Sequence, residues 1–220
     1  MTQRRDNSVD SHEAIPDPGR YKPPAETHKL FSCAVDVAPV RAEPNTGAEQ
    51  VTQLLHGEPV RVKGSRGWEW VHVETMYDYG GWVRSEHVKR VPAPTPRFLR
   101  AREGDPVREA RSFMGAPYLW GGMTNVGIDC SGLVHMAYRR LGRLVPRDAD
   151  QQEEAGIGVS EEEAQYGDLV TYGEDEATHI AFWLGDGRIL HATQREGVNG
   201  VLEEDEPEEL RARRRRFVRF

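Results

Sequence analysis

The residues of this chain best suited to nucleophilic chemistry are a cysteine and two histidines that lie far apart in the sequence. Cys130 follows Asp129 at the start of an apolar stripe with helical spacing, which predicts a helix over residues 130–141. Unpaired N–H groups and the positive end of the helix dipole stabilise a thiolate there, so we expect a lowered pKa for the Cys130 thiol. The alternative is an inert cysteine that packs as a small buried side chain.

A thiol nucleophile needs a base, and two histidines lie downstream in a predicted β-hairpin. Residues 185–187 (Gly-Asp-Gly) predict a three-residue loop with Gly187 at positive φ. That register pairs Ala181 with His191, which puts His179 and His191 on one face as diagonal neighbours. One imidazole can then be the base and the other can orient it. A two-residue loop would instead place them on opposite faces, as two ordinary sheet histidines.

The same three side chains, Cys130, His179 and His191, are also a possible ligand set for zinc. Retention of activity in the presence of a chelator would remove this alternative. We predict that the site holds no metal and that the protein uses no cofactor.

These residues fall in the second of two predicted domains. Residues 1–29 are a polar tail with several prolines, and residues 30–91 alternate short β-rich pieces with glycine turns, which is typical of a small β-barrel. Residues 92–100 contain alternating prolines and predict a stiff linker. Residues 101–220 place helices before antiparallel strands, which predicts an α+β domain. Near its end, the acidic run 203–209 and the basic run that follows are expected to form a solvated helix or a self-paired segment.

Composition excludes several classes of protein. The chain has 220 residues with a formal net charge of −7, which argues against a nucleic-acid binder. No apolar run approaches the roughly 20 residues that span a bilayer, so we expect no membrane association. Two cysteines cannot build a disulfide framework. Two early arginines have no apolar stretch behind them, so we expect no secretory signal and a cytoplasmic location.

Five short motifs follow one another in the second domain: Pro117–Gly122 (PYLWGG), Asp129–Gly132 (DCSG), Gly167–Val170 (GDLV), Thr178–Ala181 (THIA) and His191–Ala192 (HA). In order, spacing and strand–helix context they resemble the NlpC-type bacterial cell-wall cysteine peptidases. The first domain resembles the bacterial SH3-like domain that often precedes the catalytic domain in this family, through residues 53–58 and 79–83.

The resemblance implies a papain-like catalytic domain behind an SH3-like barrel. It also implies an endopeptidase that cuts γ-D-glutamyl–diamino-acid bonds in small peptidoglycan-derived peptides with a free N-terminal L-alanine, as in murein peptide recycling. The roles that it implies are catalytic for Cys130 (nucleophile), His179 (base) and His191 (orienting residue), and substrate-binding for Tyr118, Asp129, Ser131, Glu58 and Tyr79. Acidic and tyrosine side chains from both domains would hold the peptide's ammonium group.

Two alternatives remain open at this point. The same Cys–His–His set also suits another amidase or an acyltransferase, and an SH3-like domain beside an inactive peptidase-like domain would be a wall-binding module. The sequence predicts no oligomeric state.

Overall fold

The computed structural model describes residues 30–92 and 101–220. The predicted tail and all but the first residue of the predicted linker lie outside the described residues. The described chain forms one all-β part and one α+β part, in agreement with the fold class expected from the sequence. No helix in these two ranges is long and apolar enough to cross a membrane.

The N-terminal part is a single antiparallel sheet in the strand order β3-β2-β6-β5-β4-β1-β7. Alternate residues face its core, which contains Cys33, Val40, Leu54, Val73 and Val83. The strands are β1 (Leu30–Cys33), β2 (Val37–Arg41), β3 (Gln50–Leu55), β4 (Pro59–Arg66), β5 (Trp70–Glu74), β6 (Gly80–Arg84) and β7 (Val88–Arg90).

The C-terminal part packs helices on a six-stranded antiparallel sheet in the order β10-β15-β11-β12-β13-β14. Its helices are α1 (Pro106–Arg111), α2 (Cys130–Arg140), α3 (Ala149–Ala155) and α4 (Glu208–Arg211). Its strands are β8 (Met123–Thr124), β9 (Gly127–Ile128), β10 (Ile157–Val159), β11 (Leu169–Tyr172), β12 (His179–Gly185), β13 (Arg188–Arg195), β14 (Val198–Asp205) and β15 (Arg214–Arg219). The small β8–β9 ribbon stands apart from the sheet.

Helix α2 carries the cysteine and is buried on nearly all sides. It begins because Asp129 caps it by accepting a hydrogen bond from the N–H of Gly132 at 2.6 Å, and a turn with Gly142 at φ 74° follows its end. Ten of its eleven residues are buried. Its apolar residues pack on the sheet, where the Tyr138 and Phe182 rings stack at 6.2 Å. The buried helix therefore holds Cys130 in one place.

The hairpin that carries the histidines reaches the predicted alignment by a different route. Asp186 and Gly187 form a two-residue turn with φ 51° and 74°, which confirms the positive φ at Gly187 but not the three-residue loop. Such a turn alone would put the histidines on opposite faces. A register shift between Trp183 and Gly185 absorbs one residue, so Phe182 pairs with Leu190 as in the predicted register. His179 and His191 consequently share a face.

The acidic and basic runs near the C-terminus differ from the expected solvated helix. Glu203 and Glu204 belong to β14, and α4 is a single turn of four residues. Glu206 is buried, where it accepts hydrogen bonds from Tyr172 Oη at 3.0 Å and from Arg211 and Arg214. The two runs thus pair with each other, as the alternative of a self-paired segment predicts, because the burial of Glu206 requires charge partners.

The β-sheet part rests directly on the α+β part. Gln50 Nε2 donates to the carbonyl of Trp120 at 2.9 Å, and Gln53 Oε1 accepts from the N–H of Met123 at 2.9 Å. Gly121, at φ 69°, approaches so closely that a Cβ atom there would collide with the carbonyl of Gln50. This SH3-like β-sheet part (residues 30–92), called the barrel below, is therefore held directly against the PYLWGG segment.

Candidate active site

A cleft of about 320 Å³ lies between the two parts of the molecule. Both parts contribute to its walls, and carboxylates are frequent among them. Its lining residues are Glu49, Val51 and Tyr79 from the barrel and Tyr118, Trp120, Asp129, Cys130, Ser131, Asp148, Ala149, Asp150, Glu176, Ala177 and Thr178 from the α+β part. The cleft thus offers a nucleophilic thiol within an acidic surface.

Cys130 is the first residue of α2 and is 6% exposed. Burial, with the nearby charge of Asp129, raises the pKa of its thiol to about 12, although the backbone N–H groups of Ile180 and Ser131 act in the opposite direction. The expectation of a lowered pKa is therefore wrong, because desolvation outweighs the helix start. The resting thiol is protonated at neutral pH, so attack requires a base.

The two histidines form a hydrogen-bonded pair. His179 Nε2 lies 2.8 Å from His191 Nδ1, and His191 Nε2 lies 2.8 Å from Glu204 Oε1. The exposed fraction of His191 is 0%, and Glu204 in turn pairs with Arg195. The prediction that the two imidazoles lie on one face is confirmed.

Burial keeps both imidazoles neutral. Desolvation, then the neighbouring charges of His191 and Arg195, lowers the pKa of His179 to about 3. Desolvation also lowers the pKa of His191, despite the opposing effect of Glu204. An imidazole that is neutral at pH 7 is free to accept a proton.

The thiol and the base lie at neighbouring places but are not directly bonded. The N–H of Ile180, the residue after His179, acts on the Cys130 sulfur and lowers its pKa. Across residues 30–92 and 101–220, no hydrogen bond joins Cys130 Sγ to either ring nitrogen of His179. Contacts of this kind commonly tighten only when substrate binds.

Asp129 has a different environment from that of an open ammonium ligand. Its Oδ1 accepts from Gly132 N at 2.6 Å and Arg147 Nη1 at 2.9 Å, and its Oδ2 accepts from Gly121 N and Arg147 Nη2, both at 2.7 Å. A carboxylate has about four acceptor positions, and all are used here. Asp129 thus serves to hold the start of α2 and the PYLWGG turn.

The other predicted substrate-binding residues divide into two groups. Tyr79, Tyr118 and Ser131 line the cleft, and Tyr79 Oη donates to Asp148 Oδ2 at 2.8 Å. Glu58 does not line it: its exposed fraction is 0%, and it forms an ion pair with buried Arg139 of α2 at 2.9 Å. This position contradicts its expected contact with substrate, because the charge of Glu58 is used inside the interface.

Sequence reasoning missed Arg147 and Glu204. Arg147 is 1% exposed and also donates to Thr52 Oγ1 of the barrel at 3.1 Å, a burial that no local pattern indicates. Glu204 looked like one member of a solvated acidic run. The β13–β14 register pairs Ile189 with Glu204, so Glu204 is the diagonal neighbour of His191. Extending the hairpin pairing from β13 into the acidic run is the step that would have found this residue. Among the described residues, no group of three or more Cys, His, Asp or Glu is arranged to hold a metal ion.

Comparison with known proteins agrees with this arrangement. Residues 115–212 match the NlpC/P60 family, and residues 36–89 match the bacterial SH3 domain. The chain is 35% identical over 96 residues to a gamma-D-glutamyl-L-lysine dipeptidyl-peptidase of Bacillus cereus, covering 42% of this chain and 29% of that protein. It is 40% identical over 100 residues to the peptidoglycan endopeptidase RipB of Mycobacterium tuberculosis, covering 40% of this chain and 42% of that protein.

A solved structure of an NlpC/P60 family protein from Bacillus cereus has the same fold. It aligns with 87% of this chain and 63% of its own length, at a TM-score of 0.53 and 21% sequence identity. The chain spans less than half the length of the two named relatives that it matches. Within those bounds, the motifs, the fold and the family matches agree that residues 115–212 form an NlpC/P60 domain, which follows a bacterial SH3 domain at residues 36–89.

Proposed function

We propose that the protein is a cysteine endopeptidase that hydrolyses the γ-D-glutamyl–diamino-acid bond of peptidoglycan-derived peptides. The observation that carries this proposal is a neutral, hydrogen-bonded histidine pair in which His179 precedes Ile180, whose N–H acts on the Cys130 sulfur, together with a thiol that lines the cleft between the domains. Relatives named as a gamma-D-glutamyl-L-lysine dipeptidyl-peptidase and as a peptidoglycan endopeptidase support the same class of substrate.

The reaction begins from a protonated Cys130 thiol and a neutral His179 imidazole. As the Cys130 sulfur attacks the carbonyl carbon, its proton passes to His179, and the new oxyanion needs hydrogen-bond donors. The N–H of Cys130 lies in the first helical turn, where no intrahelical partner exists, and Tyr118 lines the same cleft. Burial, with the charges of Cys130 and Asp129, raises the pKa of Tyr118, so its hydroxyl keeps the proton that it donates. His179 then protonates the leaving amine, and water releases the acyl group.

The acidic wall of the cleft suits a peptide with a free N-terminal ammonium. Because Asp129 is fully bonded and Glu58 is buried elsewhere, we assign the ammonium to Asp148 and Tyr79, which already meet across the domain boundary. Burial, with the charges of Asp150 and Asp129, raises the pKa of Asp148. A bound cation would relieve that repulsion, and a charge-assisted hydrogen bond contributes about 1.5–3 kcal/mol.

The test is product analysis on a defined tripeptide, L-Ala-γ-D-Glu-diaminopimelate, and on its N-acetylated form. Mass spectrometry should detect the L-Ala-γ-D-Glu dipeptide and the free diamino acid. We expect kcat/KM to be roughly ten- to a hundredfold higher for the free amine, in line with the energy of one such bond. Cleavage at another bond, or acyl transfer in place of hydrolysis, would refute the proposed reaction.

A matched variant isolates the ammonium site. Asp148→Asn should remove the preference for the free amine while leaving turnover of the acetylated peptide within about threefold, since only the free amine uses the charge. Asp186→Asn, in the exposed hairpin turn, is the control for loss of one negative charge. A preference that survives in Asp148→Asn would exclude Asp148 as the ammonium ligand.

We further propose that the substrates are small soluble peptides rather than intact cell wall. We also propose a cytoplasmic location for the protein. The barrel forms one side of the cleft and an ammonium site favours a chain end, both of which support short substrates. Cys33 and Cys130 are free thiols, which fits a reducing compartment. Equal cleavage of purified sacculi and of the tripeptide would contradict the substrate preference, and cell fractionation tests the location.

A further inference from the structure

A chain of hydrogen bonds behind the base restricts where its protons are. His191 lies between His179 Nε2 and Glu204 Oε1, at 2.8 Å from each, and its side chain is wholly buried. A neutral imidazole has one N–H donor and one bare acceptor nitrogen. An ionised carboxylate only accepts, and Arg195 holds Glu204 ionised by pairing with both of its oxygens.

The proton positions follow one after another from Glu204. Because Glu204 accepts, the His191 proton is on Nε2 and its Nδ1 is bare. Because His191 Nδ1 accepts, the His179 proton is on Nε2. The remaining nitrogen of His179, Nδ1, is then the bare one, and it is the nitrogen available to a thiol.

We propose that Glu204 is a positioning residue that fixes the tautomers of His191 and His179 and so keeps His179 Nδ1 ready to take the Cys130 proton. The proposal rests on the proposed peptidase function. Glu204 touches neither the thiol nor the cleft, so it acts only through the two imidazoles.

The alternative arrangement explains why a fixed acceptor matters. Without Glu204, His191 can carry its proton on Nδ1 and donate to His179 Nε2. His179 would then carry its own proton on Nδ1 and present a donor to the thiol. Escape through a charged imidazolium is disfavoured because both rings are desolvated.

The charged and titratable groups around the pair come from three strands. Glu204 belongs to β14 and Arg195 to β13, and the ring of Tyr172, from β11, lies 5.7 Å from the His179 ring. Glu204 is the group among these that accepts a hydrogen bond from His191.

The proton balance of the reaction leaves Glu204 unchanged. The thiol proton moves to His179 Nδ1 as the S–C bond forms and the carbonyl electrons move to oxygen. His179, now charged, keeps donating from Nε2 to His191. When the C–N bond breaks, His179 Nδ1 returns the proton to the leaving amine. Glu204 stays ionised throughout.

The kinetic test compares three variants. Glu204→Met removes the acceptor and should lower kcat about ten- to a hundredfold, by analogy with the loss of the outer hydrogen-bond partner of a metal-bound histidine, with KM within about twofold. Glu204→Gln keeps an acceptor oxygen and should stay within about fivefold of the wild type. Glu203→Met is the control: its carboxylate pairs with Arg111 at 2.5 Å instead of with His191, and its activity should be unchanged.

The spectroscopic test does not require turnover. Long-range ¹H–¹⁵N correlation spectra of histidine-labelled protein should show the proton of His179 and of His191 on Nε2 in the wild type and in Glu203→Met. Glu204→Met should move both protons to Nδ1. A wild type with either proton on Nδ1, or a Glu204→Met variant whose tautomers are unchanged, would overturn the proposal. A wild type that shows the expected tautomers but cleaves no γ-D-glutamyl peptide would refute the proposed function instead.

Discussion

The two halves of the active site are held by opposite physical means. In the nucleophile half, many bonds converge on one buried charge: Asp129 accepts five hydrogen bonds, and Arg147 joins it to the barrel through Thr52. The base half is a linear chain of hydrogen bonds, in which one bond joins His179 to His191 and one bond joins His191 to Glu204. One half fixes an atom in space, and the other fixes the location of a proton.

This difference predicts different failures. In the nucleophile half, loss of one partner leaves a buried charge uncompensated, so the damage falls mainly on folding. In the base half, a lost partner leaves neutral rings in place, so the damage falls mainly on the protonation state and hence on rate. Variants in each half therefore separate stability from catalysis.

The largest effect is expected at the thiol itself. Cys130→Ala should lower turnover of the tripeptide about 10⁴-fold or more, because the attacking atom is gone, while circular dichroism shows an unchanged fold. Cys33→Ala, in the buried core of the barrel, should keep turnover within about twofold, since it lies outside the cleft. Substantial turnover by Cys130→Ala would rule out the cysteine mechanism.

The next largest effect compares the arginines of the two halves. Arg147→Met should lower the free energy of unfolding by about 3–5 kcal/mol, because Asp129 loses its buried partner. Arg195→Met should cost about 1 kcal/mol or less, because the Arg195 side chain is 37% exposed. Urea denaturation measures both, and equal losses would contradict the contrast between the halves.

The smallest effect is a pH dependence of stability. Desolvation, with the charges of Arg139 and Arg147, lowers the pKa of His135 in α2 to about 3. In the unfolded chain His135 binds a proton near pH 6.5, whereas in the folded chain it stays neutral until about pH 3. The free energy of unfolding is therefore greatest above pH 6.5 and decreases as the pH falls toward 3. His135→Asn should reduce the slope between pH 4 and 6 by up to about 1.4 kcal/mol per pH unit. An unchanged slope would show that His135 titrates normally.

Much of the base half was predictable because it is built from strand alternation. The left-handed Gly187 and the shared face of His179 and His191 follow from turn chemistry and a period of two. The bulge before Gly185 was not predictable, because a two-residue turn with a bulge and a three-residue loop give the same alignment. Glu204 could not be distinguished from the neighbouring acidic residues, because its position next to His191 depends on β14 pairing with β13.

The nucleophile half was less predictable, because its partners come together only through tertiary packing. The helix start at Cys130 and its cap at Asp129 could be predicted from local residues. The buried Arg147, the ion pair of Glu58 with Arg139 and the raised pKa of the thiol depend on the barrel and sheet closing over α2. In the sequence, such charged residues are expected to be exposed to solvent. Their burial is possible only because a partner that is distant in the sequence pairs with the charge.

The contact of Gly121 with the carbonyl of Gln50 limits how this architecture can be re-engineered. If the barrel is replaced by that of another protein, the new barrel must present a backbone surface that the Gly121 backbone can approach without a Cβ atom between them. Any side chain at position 121 is strained by its φ of 69° and also pushes the barrel outward, which would widen the acidic cleft. Exchange of barrels between relatives should therefore succeed only when the PYLWGG turn and its facing strand β3 are transferred together.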